Sequence, residues 1–215
     1  RLEAALYANI SKLTKGDIRV YYYQSERGLP GATIFYNTKS FSKQRLWDKT
    51  FFAQAHLEHE LSSKWTIQGD AKYNRGYLRY LDPTYLGAEG KIEDIFNQNE
   101  SYTSISTLYR PSQNLSISLA SDITSATMFS ERESFATPTR ITSQSAIAAK
   151  LISEQFISTA SLLYTQTFES TKIGNPANNK SKLSPHLSLS FKPFQDINLR
   201  IRSFYKNSFR IPTFN

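Results

Sequence analysis

From Leu183 onward the chain alternates oily and polar side chains with a period of two. Leu183, Leu187, Leu189 and Phe191 fall on one side, with Ser184, His186, Ser188, Ser190 and Lys192 on the other. A turn follows at Pro193-Phe194-Gln195-Asp196, after which Ile197, Leu199, Ile201 and Tyr205 oppose Asn198, Arg200, Arg202 and Lys206. Only extended chain places side chains on opposite faces at every second residue, so this stretch is predicted to be a β-hairpin.

The same pattern fills the rest of the chain. Strands are expected over 1–13, 18–25, 49–61 and 65–80, then over 100–110, from 115 to about 127, and over 141–151 and 156–168. Short turns are expected at Thr14-Lys15-Gly16-Asp17, Ser62-Ser63-Lys64, Pro111-Ser112-Gln113-Asn114 and Ser153-Glu154-Gln155. Long connections are expected at 26–48, 81–99, 128–138 and 169–181. About ten strands of roughly 9–15 residues thus follow one another, each long enough to cross a bilayer at a tilt. Connections alternate strictly between short and long, which gathers all tight turns on one rim and all long loops on the other. Outer-membrane barrels have that asymmetry.

A water-soluble antiparallel sandwich alternates in the same way. Its strands run nearer five or six residues, however. The apolar face here also thins to Ala53, Ala55, Ala71 and Ala149, which fill an interior poorly. Aromatics gather near strand ends: Trp65 and Phe156 beside short turns, and Tyr21 to Tyr23, Tyr80 and Tyr205 toward the long-loop rim. Two interfacial girdles have that distribution. The expected fold is therefore an all-β, antiparallel up-and-down transmembrane barrel. That reading requires Leu187, Leu199 and Ile117 to lie at the surface, with Asp70 and Arg200 on the opposite side of the wall.

Composition refines the picture only a little. The net charge of +8 comes from 26 Lys and Arg against 18 Asp and Glu, scattered along strands and loops rather than clustered. Nucleic acid is therefore not an expected partner: strand alternation accounts for the interleaving of basic and aromatic residues. With no Cys among the 215 residues, disulfides and thiol chemistry are excluded. No run of about 18 apolar residues occurs, so no helix spans a bilayer, and this does not bear on strands. The chain opens in mid-pattern and is read as an internal piece of a longer protein, with residues 1–215 forming part of one barrel domain.

Candidate chemistry is sparse. His56 and His59 point to opposite faces of one strand, so they are not a chelating pair. With His186, they lie in the lower or middle wall rather than at the long-loop rim, where an outer-membrane protease would work. No enzyme, metal site or cofactor is expected. Gly28–Gly31 (GLPG) lacks the Lys-Ser/Thr of a phosphate loop and reads as a turn. The polar column Gln54, His56, Glu58, Glu60, Asp70, Lys72, Arg200 and Arg202 mixes both signs, as a wall does that faces water or an internal plug.

Ser203–Asn215, SFYKNSFRIPTFN, is similar to the strand-plus-loop "FRxPTFN" run of TonB-dependent outer-membrane receptors, particularly the vitamin B12 receptor-like branch. SERGLPGATIFYN at Ser25–Asn37 and KQRLWDKTFFAQ at Lys43–Gln54 resemble the same family in Bacteroidetes-type bacteria. The resemblance implies a barrel of about 22 strands filled by an N-terminal plug domain. It also implies residence in the Gram-negative outer membrane and import of a scarce nutrient, a cobalamin, another corrinoid or a siderophore-like iron chelate. Its partners would be the plug, the TonB complex acting through it, outer-membrane lipid and a surface lipoprotein. No plug and no calcium ligand are identified in this chain. The ligand-facing candidates are planar or charged residues assigned to the external loops: Arg27, Tyr36, Lys43, Arg45, Trp47, Tyr85, Lys172 and Lys180. Two other readings stay open, a passive porin-like channel and a self-contained ten-stranded barrel acting as enzyme or adhesin.

Overall fold

In the computed structural model, residues 1–30, 43–85 and 90–210 are described. They form one antiparallel sheet of ten strands in sequence order: β1 (Leu2–Asn9), β2 (Thr14–Gly28), β3 (Arg45–Ser62), β4 (Trp65–Asp82), β5 (Ile92–Tyr109), β6 (Leu115–Ser130), β7 (Thr139–Ile152), β8 (Phe156–Ser170), β9 (Lys180–Phe191) and β10 (Ile201–Lys206). Each strand pairs with its sequence neighbours, as an up-and-down meander requires. The sheet is open, with β1 and β10 at its edges.

Several expected boundaries move. Thr14 to Asp17 belong to β2 rather than to a turn, because Gly16 pairs with Leu57 and Asp17 with His56. A Cβ at Gly16 would sit 2.8 Å from the backbone oxygen of His56, and this closeness is what the glycine permits. The first turn is instead at 10–13. Strands also run further toward the long-loop rim than the alternation indicates, so the long connections shrink to 29–44, 83–91, 131–138 and 171–179. Connection 192–200 is as long as three of those, so the alternation of short and long is not strict. Ile197, Leu199 and Arg200 lie in it, outside any strand.

β3, β4 and β5 have 18 residues each, about 60 Å of strand. A tilted membrane strand needs only about 9–11. No hydrophobic side chain is buried among the described residues. The chain exposes 15687 Å², where a compact soluble chain of its 24.6 kDa would expose about 10,000 Å².

Register sorts the side chains into two faces. The apolar face carries Leu6, Ile18, Leu57, Ile67, Ile105, Leu119, Ile147, Leu162 and Leu187 in lateral sequence. Its large side chains are open to the surroundings: Leu119, Ile147 and Leu187 keep about half of their area. The other face carries the polar set and is the more enclosed, with Thr165 and Thr167 buried. Side chains crowd on the inside of a bent sheet, so the polar face is the inner one. Of the residues that the barrel reading needs at the surface, Leu187 is exposed on the outer face, Ile117 is half-buried there, and Leu199 is exposed in the connection.

Candidate functional site

The inner face is built in lateral rows, one residue from each strand. One row runs Asp17, His56, Asp70, Ser104, Asp122, Gln144 and Thr165. Within it His56 Nδ1 lies 2.7 Å from Asp70 Oδ1, Ser104 donates to Asp122 at 2.7 Å, and Gln144 donates to Thr165 at 3.3 Å. The neighbouring row holds Lys15, Glu58 and Gln68, with Lys15 and Gln68 reaching Glu58 at 2.9 and 2.8 Å. The row on the other side holds Arg19, Gln54, Lys72 and Tyr102. Large charged groups crowd β2–β4, whereas β6–β9 present mainly Ser, Thr and Ala, with Asp122, Lys180 and the Arg140–Glu169 pair (2.6 Å) among them. This row is not a hydrolytic triad. The carboxylate of Asp70 stands between His56 and Ser104, whereas a nucleophilic serine needs the imidazole between itself and the acid. His59 is on the apolar face, bonded to Thr14 at 2.8 Å, and His186 is on the inner face of β9.

Beyond these rows, the extended ends of β3–β6 raise a second cluster to the inner side of the long-loop rim. Leu46, Tyr80 and Asp94 are cross-strand partners, and one step away Leu78 and Phe96 pair. Phe135 meets Phe96 edge-on at 5.8 Å, and Arg132 donates to Asp94 through Nη2 at 2.9 Å. Asp82 accepts from Gln44 at 2.8 Å and from the Thr84 backbone and hydroxyl at 3.0 and 2.9 Å. Arg27 approaches Asp48 at 3.6 Å on the same side. Apolar and aromatic surface flanked by held charges is a surface that binds small polar-rimmed molecules. The sequence reading misses most of this cluster because it places 81–99 in a loop.

The expected ligand-facing residues separate. Arg27, Arg45, Trp47 and Lys180 stand on strands, not in loops. Arg27 and Lys180 are on the inner face. Arg45 and Trp47 are on the outer face, where Arg79 stacks over the Trp47 ring at 4.6 Å and Arg45 approaches Glu26 at 3.9 Å. Lys43 and Tyr85 are exposed in connections beside β3 and β4. Lys172 leans over Phe129 at 5.8 Å. Tyr36 lies outside the described residues. Of the polar column, Gln54, His56, Glu58, Asp70, Lys72 and Arg202 share the inner face. Arg200 reaches it from the connection through Ser190 at 3.3 Å.

The outer face carries two aromatic lines. Trp65 meets Tyr109 edge-on at 6.0 Å and Phe156 stacks on Phe191 at 4.8 Å, both beside short turns; the Trp65 indole donates to Thr107. Tyr22, Phe51, Tyr73 and Tyr164 form the upper line. Trp65 to Tyr73 and Phe156 to Tyr164 each span eight residues, about 26 Å of strand. At the tilt of barrel strands, about 35–45°, that is about 20 Å of height, close to the roughly 25 Å of a transmembrane barrel's apolar belt. Tyr21, Tyr23 and Tyr80, expected in that girdle, are on the inner face instead.

An all-β meander, apolar outside and polar within, with such lines, has the fold of an outer-membrane β-barrel wall. Solved structures bear out that class. The chain is similar to the ferric preacinetobactin receptor BauA from Acinetobacter baumannii, with a TM-score of 0.64 at 11% identity, covering 89% of this chain and 37% of that one. It is similar to the alcaligin outer-membrane receptor FauA from Bordetella pertussis (0.58, 10%, 90% and 32%). The siderophore receptor PiuA from Acinetobacter baumannii is also similar (0.56, 10%, 90% and 40%). This chain therefore spans roughly a third to two fifths of their length. Compared by sequence, no family model and no curated protein matches it.

Proposed function

We propose that this chain is part of the barrel wall of a TonB-dependent outer-membrane receptor that imports a scarce small nutrient. The observation that carries this reading is the inverted polarity of the sheet. Through the middle of the wall its large apolar side chains lie mainly on the exposed face, and no hydrophobic core exists among the described residues. Exposed apolar area disfavours a protein in water by about 25 cal/mol per Å². Lipid around the outer face removes that cost. Three similar structures named as receptors, for alcaligin, for a siderophore and for ferric preacinetobactin, support a small chelate as cargo over a macromolecule. A corrinoid remains the other small-molecule cargo to test.

On this reading a plug belonging to the same protein packs against the inner rows, and energy from the TonB complex releases the cargo inward. The rows Lys15–Glu58–Gln68 and His56–Asp70 supply the hydrogen-bonding side chains for that plug. The cargo meets Arg27, Tyr80, Phe96, Asp94 and Arg132, with Lys43, Tyr85, Lys172 and Lys180 around the mouth. Arg45 and Trp47, facing outward, leave the ligand set. Catalysis is not assigned to any residue.

Uptake by cells carrying the full receptor tests this. Import of a ferric siderophore or of cobalamin should vanish without TonB, and planar-bilayer conductance should be near zero. Steady ion conductance independent of TonB would favour the porin-like channel instead.

A further inference from the structure

The outer face above the upper aromatic line carries a charged patch that the import reading leaves unused. It is confined to β2–β5. The outer-face positions of β6, β7, β8 and β9 hold no charged residue at all. Within the patch, Arg79 pairs with Glu93 at 2.6 Å, Lys91 with the same carboxylate at 3.2 Å, and Arg45 with Glu26 at 3.9 Å. Lys49 and Arg75 are both exposed and make no ion pair among the described residues. Register pairs Lys49 with Tyr77 and Phe51 with Arg75, so the two cations are diagonal neighbours on one face. Such neighbours sit about 7–8 Å apart, a gap that one phosphate group bridges between two long side chains. Lys49 also rests over the Tyr77 ring at 5.2 Å, which holds its ammonium group near the wall.

Height decides what can reach this pair. Arg75 is two residues above Tyr73, and Lys49 two above Phe51, about 7 Å along each strand. That is headgroup level if the aromatic line marks the edge of the hydrocarbon. The geometry points to a lipid-headgroup site at Lys49 and Arg75, taking a phosphate monoester from the leaflet that meets the long-loop rim. The inference rests on the barrel-wall reading, since only a membrane brings lipid to this face.

The test uses the full receptor in phosphatidylcholine nanodiscs containing either phosphatidic acid or an equal fraction of diacylglycerol, with retained lipid counted by native mass spectrometry. Phosphatidic acid should be retained about tenfold over diacylglycerol, as expected for two cations beside an anionic headgroup. The double variant Lys49→Gln/Arg75→Gln should abolish the preference. Glu93→Gln, which frees Arg79 and Lys91, should increase it, an arm that stands even if the double variant misfolds. Equal retention of both lipids, or a preference unchanged in the double variant, would overturn the site. Inorganic phosphate binding as tightly as phosphatidic acid would make it a free-anion site and overturn the lipid assignment. A receptor that enters nanodiscs without any preference defeats this inference alone; one that cannot enter them defeats the barrel-wall reading beneath it.

Discussion

At the scale of single residues, position on the wall decides what a side chain contributes. Trp47 and Arg45 have the chemistry of ligand contacts, yet they stand on the outer face under Arg79 and beside Glu26. On the proposed receptor reading, Trp47→Ala in the full-length protein is therefore expected to leave ligand affinity unchanged. Arg132→Ala, which frees Asp94 at the inner rim, should weaken it by tenfold or more, about 1.4 kcal/mol, in an equilibrium binding assay. Equal effects from the two substitutions would disprove the division of the rim into faces. The contact between His56 and Asp70 on the inner wall is half-exposed, and a polar pair so open to water contributes under about 1 kcal/mol. Gly16 is a different case. Gly16→Val pushes a side chain against the His56 carbonyl, and overpacking of that kind costs about 1–3 kcal/mol. A denaturant titration of the receptor folded into vesicles measures it.

At the scale of the element, each strand records its solvent on two sides. Leu119→Arg on the outer face should cost about 2–4 kcal/mol near mid-membrane, whereas Ser118→Arg one residue away should be nearly neutral. Folding equilibria in vesicles separate these, and similar costs would contradict the face assignment. The same physics explains what the sequence made legible. Wherever lipid meets one face and water the other, alternation is sharp, and the strands, their order and the inner column of Gln54, His56, Glu58, Asp70 and Lys72 follow from it. Above Tyr73 that contrast fades. Arg75 and Arg79 face outward while Asn74 and Asp82 face inward, so both sides are wet and a strand has the composition of a loop. The top of β3 and the first half of β5 were hidden for that reason, and much of the inner rim cluster with them. Thr14 to Asp17 likewise has turn composition, and pairing with β1 and β3 makes it strand.

At the scale of the whole molecule, the surplus of exposed area is the dominant feature. An open sheet also leaves the backbone donors and acceptors of β1 and β10 unpaired on their outer sides. Edges of that kind recruit further strands. The 215-residue chain refolded alone in detergent is therefore expected to associate, and the full receptor to remain a single barrel. Light scattering coupled to size-exclusion chromatography distinguishes the two. A strictly monomeric isolated chain would mean that its edges are satisfied in some other way.

The extra length of β3–β5 has a further consequence. On the barrel-wall reading, eight or so residues of paired strand stand clear of the bilayer as a stiff collar. A protease added from that side meets hydrogen-bonded backbone almost down to the lipid. Its cuts should fall only on the crests, such as 131–138 and 171–179, leaving a nicked wall that still holds together.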